Sequence, residues 1–165
     1  VSTGFVARSF PETRLYFWLN QFPSGHEPIS FILKTIIRKV STAMKKIDTP
    51  NAPCAIGPYS QGFMVGNAVY TSGQLPVDPA TGEMPAGIEA QAEQSCKNVI
   101  AILDAAGSGA EKVFKSTCFL ADMSDFASFN AVYARYFPSN PARSCFAVKT
   151  LPKNALCEIE AVAEA

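Results

Sequence analysis

The segment from Ile88 to Ala106 constrains this chain more than any other. Ile88, Ala92, Cys96, Val99, Ile100 and Leu103 recur there at three- and four-residue spacing, which gathers them on one face of a helix. Gly107 follows as a fitting C′ residue. A helix with a single apolar stripe must lay it against another layer. The segments around it are short and strand-like. Phe63 to Val65 and Ala68 to Ser72 flank Gly66-Asn67, a two-residue hairpin signal, and Val77 to Gly82 reads as a loop with a turn. Val113 to Leu120 is rich in β-formers, and Ser124 or Asp125 is placed to cap a second helix running through Phe137. On that helix Phe126, Phe129, Tyr133 and Tyr136 or Phe137 form an aromatic stripe, the pattern of core packing. Arg143 to Lys149 and Ala155 to Ala163 are two further strands, joined by Leu151-Pro152-Lys153-Asn154. The resulting order, β-β-α-β-α-β-β, predicts an α+β fold with two helices on one face of a mixed sheet.

The length of 165 residues fits one domain of this kind plus an extension. Residues 1–43 keep no lasting period, and Pro11, Pro23, Gly25 and Pro28 interrupt them. Ile29 to Met44 has the makings of a short basic amphipathic helix, as in a mitochondrial presequence, but acidic residues are present and Ser is modest. Met44-Lys45-Lys46 reads as a natural start. Residues 1–43 are therefore expected to be a poorly ordered extension, and 44–165 the folded domain. The longest apolar runs are cut by charge, as Lys34 cuts Ile29 to Ile37, so no membrane-spanning segment is expected.

The neutral total charge hides two unlike halves. Residues 1–43 carry five cations and two anions, and residues 44–165 carry nine cations and twelve anions. A domain at −3 without a basic stripe gives no electrostatic case for nucleic-acid binding. The single histidine, His26, also lies in the first segment. The domain therefore has no material for His-based triads, Cys–His dyads or His-ligated metal sites. Its five cysteines (Cys54, Cys96, Cys118, Cys145, Cys157) are odd in number, widely spaced and without a C-x-x-C pair. Such cysteines suit a reducing intracellular compartment, where they act as small hydrophobes.

Six places carry residues with chemical potential. Arg143 opens a mostly apolar strand after Pro141-Ala142, and a desolvated guanidinium needs an anionic partner. Its planar fork suits a carboxylate; spacing alone favours a protein carboxylate over a ligand. In Cys157-Glu158-Ile159-Glu160 the two glutamates share one strand face. The simpler reading makes that face solvent-exposed; the functional one sets a carboxylate in a cleft to activate water. Tyr59 follows the rigid Ile56-Gly57-Pro58 turn, and Ser72-Gly73-Gln74 ends a strand. Asn130 sits mid-helix, where its amide wants a partner. Taken singly, Tyr59 reads as packing, Ser72 as a turn former and Asn130 as a local cap. Cys145 lacks a histidine to activate it, so a nucleophilic role is set aside in favour of a small thiol open to oxidants.

Taken together, four blocks give a resemblance. Asn51-Ala52-Pro53 with Ile56-Gly57-Pro58-Tyr59-Ser60-Gln61, Thr71-Ser72-Gly73-Gln74-Leu75-Pro76, Pro141-Ala142-Arg143-Ser144-Cys145, and Cys157-Glu158-Ile159-Glu160-Ala161-Val162-Ala163 occur in order, with Asn98-Val99 in the long helix. From about Lys45 to Ala163 the chain resembles the Rid (YjgF-type, reactive-intermediate deaminase) family. The resemblance implies a chorismate-mutase-like homotrimer with clefts between subunits and no cofactor. It implies hydrolysis of 2-imino acids such as 2-iminobutanoate and 2-iminopropanoate to 2-keto acids and ammonia. It assigns Arg143 to the substrate carboxylate and Glu158 to the hydrolytic water, with Tyr59, Ser72, Gly73, Asn130 and Cys145 around the same pocket. Family members without deaminase activity typically lack the arginine. The alternative is a trimeric small-carboxylate-binding protein or oxidant-triggered holdase, and the presence of Arg143 favours the enzyme over it. A cytoplasmic location is expected, or a mitochondrial one if residues 1–43 are a presequence. Pro138-Ser139-Asn140, the link from Phe137 to Pro141, looks shorter than in many relatives.

Overall fold

In the computed structural model, which describes residues 44–165, the long amphipathic segment is helix α1 (Ile88–Ala105). Its buried side is Gln91, Ala92, Ser95, Cys96, Asn98, Val99, Ile102 and Leu103. The expected stripe therefore needs one correction. Ile100 lies at the margin, and Ile102, one turn from Asn98 and Val99, fills the core. Gly107 closes the helix with φ 81°, while Gly107 N–H donates to Asp104 O and Ser108 N–H to Leu103 O, both at 2.9 Å.

The helix packs on a six-stranded sheet. Strands β1 (Met44–Ile47), β2 (Gly62–Val65), β3 (Ala68–Thr71), β4 (Val113–Leu120), β5 (Ala142–Ala147) and β6 (Cys157–Glu164) lie in the order β1-β2-β3-β6-β4-β5. Only β4 and β5 run parallel, so the sheet is mixed. A second helix, α2 (Phe126–Tyr136), makes the β4-to-β5 crossover. The fold is α+β, as expected from the element order.

The differences are local. Strand β1 was not expected: Met44-Lys45-Lys46-Ile47 buries only Ile47 and lacks the alternation that marks a strand. Two lysines on an edge strand are a device against pairing with foreign edges. Asp125 stands at the N-cap position of α2, one of the two residues expected there, but its side chain makes no capping hydrogen bond. Asp122 accepts from the Ser124 amide at 2.7 Å and starts a 3-10 turn, Met123–Asp125, that feeds the helix. Phe137 follows the helix rather than ending it, yet is buried with Phe129, Val132 and Tyr133. Strand β5 stops at Ala147, and β6 begins at Cys157 after a 3-10 turn, Pro152–Asn154.

The core lies between the helices and one sheet face. Val69, Cys118, Leu120, Cys157, Ile159, Ala161 and Ala163 point into it, against Cys96, Val99, Ile102, Leu103 and Phe129. The other face carries exposed Phe63, Val65, Tyr70 and Phe146, and no helix of the described residues covers it. No helix of the described residues is long and apolar enough to cross a membrane. The expectation for residues 1–43 lies outside the described residues.

Candidate active site

Buried amides fasten the loops that carry the candidate residues. Gln61 accepts from Thr49 N–H at 2.7 Å and donates to the carbonyls of Thr49, Ala52 and Pro53, fixing the approach to Tyr59. Asn98 donates to Leu75 O and Val77 O, both at 2.9 Å, and so ties the segment after Gly73 to α1. Gln74 and Ile159 exchange main-chain hydrogen bonds of 2.8 and 3.2 Å, which locks that segment to β6 beside Glu158. These satisfied amides replace secondary structure where the chain must be irregular.

The result is a cleft of about 270 Å³ walled by Ile56, Tyr59, Ser72, Gly73, Leu75, Pro152 and Glu158. Ser72 Oγ donates to Ser60 O at 2.6 Å, and Tyr59 Oη accepts from Ile56 N–H at 3.3 Å. A Cβ at Gly73 would overlap the Glu158 carboxylate. The backbone of Gly73 is not in the left-handed region, so the need for glycine comes from this close approach alone. Burial, with the neighbouring Glu160 charge second, pushes the Glu158 carboxyl above the ordinary glutamate range. The strand alternation is as expected: Cys157, Ile159 and Ala161 are buried, and Glu158 and Glu160 half-buried on the other face. The solvent-exposed reading of that face gives way, for Glu158, to the cleft.

Arg143 and Asn130 line a second cleft of about 410 Å³ with Tyr133, Ala134, Phe137, Asn140 and Pro141. Arg143 pairs in register with Ser116, and Ser116 with Ala161, on the helix side of the sheet. Glu158 pairs with Phe119, and Phe119 with Phe146, on the uncovered side. One chain thus separates the candidate residues into two groups on opposite faces. Tyr59, Ser72, Gly73 and Glu158 make one, and Asn130 and Arg143 the other. Cys145 accompanies Arg143 on the helix side, in register with Cys118. Burial raises its thiol, with Arg143 opposing, which leaves little thiolate for nucleophilic chemistry.

The protein carboxylate expected to pair with Arg143 is not found among the described residues. Among the described residues the ion pairs are Lys46–Asp48, Lys97–Glu93 and Arg135–Glu93. The Arg143 guanidinium lies instead over the rings of Tyr133, at 4.7 Å, and Phe126, at 5.8 Å. Beside it, the buried Asn130 Oδ1 has no hydrogen-bond partner among the described residues, so the local-cap reading of Asn130 does not hold. A guanidinium stacked on ring faces keeps its in-plane N–H donors free, and the orphaned amide oxygen adds an acceptor. The aromatic stripe is indeed core for Phe129 and Phe137. The sequence reading missed that Tyr133 and Phe126 also serve Arg143; a tyrosine among phenylalanines was the one available signal.

Residues 49–165 match the model of the family described as endoribonuclease L-PSP. This chain belongs to that family, the Rid (YjgF) proteins. The 2-iminobutanoate/2-iminopropanoate deaminase of Escherichia coli K12 is 52% identical over 123 residues, covering 72% of this chain and 96% of that protein. The crystal structure of the E. coli YjgF gene product superposes with a TM-score of 0.70 at 51% identity, covering 73% of this chain and 98% of the other. That of E. coli TdcF with bound serine gives 0.72 at 48% identity, with 73% and 98% covered. The Rid fold expected from the sequence is therefore the one found.

Proposed function

We propose that this protein hydrolyses 2-imino acids and their enamine tautomers, 2-iminobutanoate and 2-iminopropanoate among them, to 2-keto acids and ammonia. The supporting observation is Arg143: a half-buried guanidinium, stacked on aromatic rings, with no ion-pair partner among the described residues. Two parallel N–H···O bonds from it hold the substrate carboxylate. A relative with serine bound fits a site for small amino-acid-like carboxylates.

In the reaction water attacks C2 of the protonated imine, and the C=N π pair moves to nitrogen. Glu158, as carboxylate, takes a proton from that water and returns it to the nitrogen of the carbinolamine. The C–N bond then breaks as the oxygen lone pair forms C=O and the regenerated Glu158 carboxylate takes the hydroxyl proton, which leaves with the released ammonia as ammonium. A carboxyl raised by burial suits both halves of this transfer. Tyr59, Ser72 and Gly73 shape the Glu158 side, and Asn130 and Cys145 flank Arg143.

The two groups lie on opposite faces of one sheet, so the site is completed by a second copy of the chain. The uncovered face with Phe63, Val65, Tyr70 and Phe146 supplies an apolar surface for that contact. Residues 44–165 are the functional unit, the assembly is a homotrimer, and the setting is a reducing compartment, the cytoplasm, in keeping with five free cysteines. The non-enzymatic alternative is not favoured, because Arg143 is present and the curated relative is a deaminase. An RNA substrate is disfavoured by the −3 charge of residues 44–165.

The test is a coupled assay in which threonine dehydratase generates 2-iminobutanoate and its decay is followed by absorbance. The protein accelerates decay; Arg143→Ala lowers kcat/KM by at least ~100-fold, the loss of two charge-assisted hydrogen bonds, with the oligomer intact by light scattering. Turnover by Arg143→Ala at the parent rate overturns the proposal.

A further inference from the structure

The two rings beneath Arg143 are not held alike. Phe126 is half-buried at the first turn of α2, whereas Tyr133 is buried. The Tyr133 ring lies 5.9 Å from that of Phe129 and 4.6 Å from that of Phe137. Its hydroxyl shares a 2.6 Å hydrogen bond with Ser116 Oγ, and both residues are buried. Ser116 is the register partner of Arg143 across β4 and β5. One tyrosine is therefore tied twice to a single row of the sheet: its ring face meets the guanidinium, and its hydroxyl meets the residue beside that arginine.

We infer that Tyr133 is a positioning residue for the substrate carboxylate, a π-platform locked by Ser116 that holds the Arg143 guanidinium at the cleft it shares with Asn130. The reasoning is geometric. A protein carboxylate would satisfy the charge by occupying the in-plane N–H fork, which is the part a substrate carboxylate needs. A ring takes the flat face, stabilises the cation and leaves the fork open. The Tyr133–Ser116 bond fixes the plane of that ring, which a phenylalanine would leave to packing alone. Burial pushes the Tyr133 phenol up to about 12, so it stays neutral at physiological pH and does not become a competing anion. The aromatic stripe of α2 thus has two duties, core on one side and substrate recognition on the other.

This inference rests on the deaminase reading, and the experiment separates the two. Tyr133→Leu, Tyr133→Phe, Ser116→Ala and the Tyr133→Phe/Ser116→Ala double variant are compared with the parent at matched oligomer size and circular dichroism. The readouts are KM and kcat for 2-iminobutanoate and, independently, the Kd of 2-oxobutanoate by calorimetry. Tyr133→Leu is expected to raise KM and Kd together by ~10-fold, as loss of a cation–π contact would, with kcat changed less than about twofold. Tyr133→Phe, which keeps the ring, recovers most of that loss. Its remaining deficit is matched by Ser116→Ala and not deepened in the double variant, because both remove the same bond. A purely structural role would lower thermal stability and leave Kd of the folded protein unchanged, and that result overturns the inference. Additive effects of Tyr133→Phe and Ser116→Ala also overturn it. If Tyr133→Leu does not fold, the other three variants decide, with unchanged KM in all of them counting against. If the parent shows no turnover, the deaminase reading fails, and the keto-acid titration still judges the platform, absent binding by the parent counting against it.

Discussion

Gly73→Ala is the smallest perturbation that should disable this site. The methyl group adds no backbone strain, because Gly73 is not in the left-handed region. It would instead be built into the volume that the Glu158 carboxylate fills. An ordinary contact between carbon and oxygen needs about 3.4 Å, so the carboxylate must withdraw by more than about 1 Å. The segment cannot yield in its place: the Gln74–Ile159 main-chain pair clamps it to β6, and Asn98 holds Leu75 and Val77 from behind. A displacement of about 1 Å in a group that directs water costs on the order of 100-fold in rate, or about 2.7 kcal/mol of transition-state stabilisation. On the proposed mechanism the loss should fall on kcat, since there Arg143 holds the substrate carboxylate from the other half of the site. Steady-state decay of dehydratase-generated 2-iminobutanoate measures it, and melting curves with light scattering establish that the variant is folded and assembled. Glu158→Gln completes a double-variant cycle: if Gly73 acts only by making room for Glu158, adding Gly73→Ala to Glu158→Gln costs little further. A Gly73→Ala protein with parental kcat, or full additivity with Glu158→Gln, would refute the close-approach argument.

Two further outcomes follow from the same residues. Because burial raises the Glu158 carboxyl in the folded state, its contribution to stability is full below 4.5, the ordinary glutamate value, and is lost as pH rises through the raised value. Glu158→Gln should therefore raise the melting temperature more at pH 7 than at pH 4 while abolishing the acid limb of the rate profile; a larger gain at pH 4 sinks the assignment. Asn98→Ala strips two carbonyls of their donors at a position 1% exposed, which should cost about 2–4 kcal/mol in urea unfolding. A change below about 0.5 kcal/mol would mean the loop holds itself.

What the sequence made legible divides by the range of the interaction involved. Periodicity is local, so α1, the Gly66-Asn67 hairpin and the shared face of Glu158 and Glu160 could be read from spacing. Strand β1 escaped because its pairing with β2, not its own pattern, makes Met44-Lys45-Lys46-Ile47 extended. The candidate site is the harder case. Arg143 and the Glu158/Glu160 pair stand out singly, whereas Tyr59, Ser72, Gly73 and Asn130 gain a site role only through the resemblance, and the division of these residues into two groups depends on which neighbours each strand has. Had β5 paired with β6, as strands joined by one short loop commonly do, the positions of Arg143 and Glu158 would share an edge. Because β4 lies between them and register sets Arg143 beside Ser116, the guanidinium faces α2 and the carboxylate faces away. The expected counter-ion failed for a related reason. A half-buried cation is expected to need an anionic partner, but spacing along a chain cannot tell a carboxylate from the face of a ring seventeen residues beyond Ser116. That substitution of a ring for an anion is what leaves the donors of Arg143 free. On the proposed function it makes a half-buried charge a receptor for a small acid, and it ties recognition to the packing of α2.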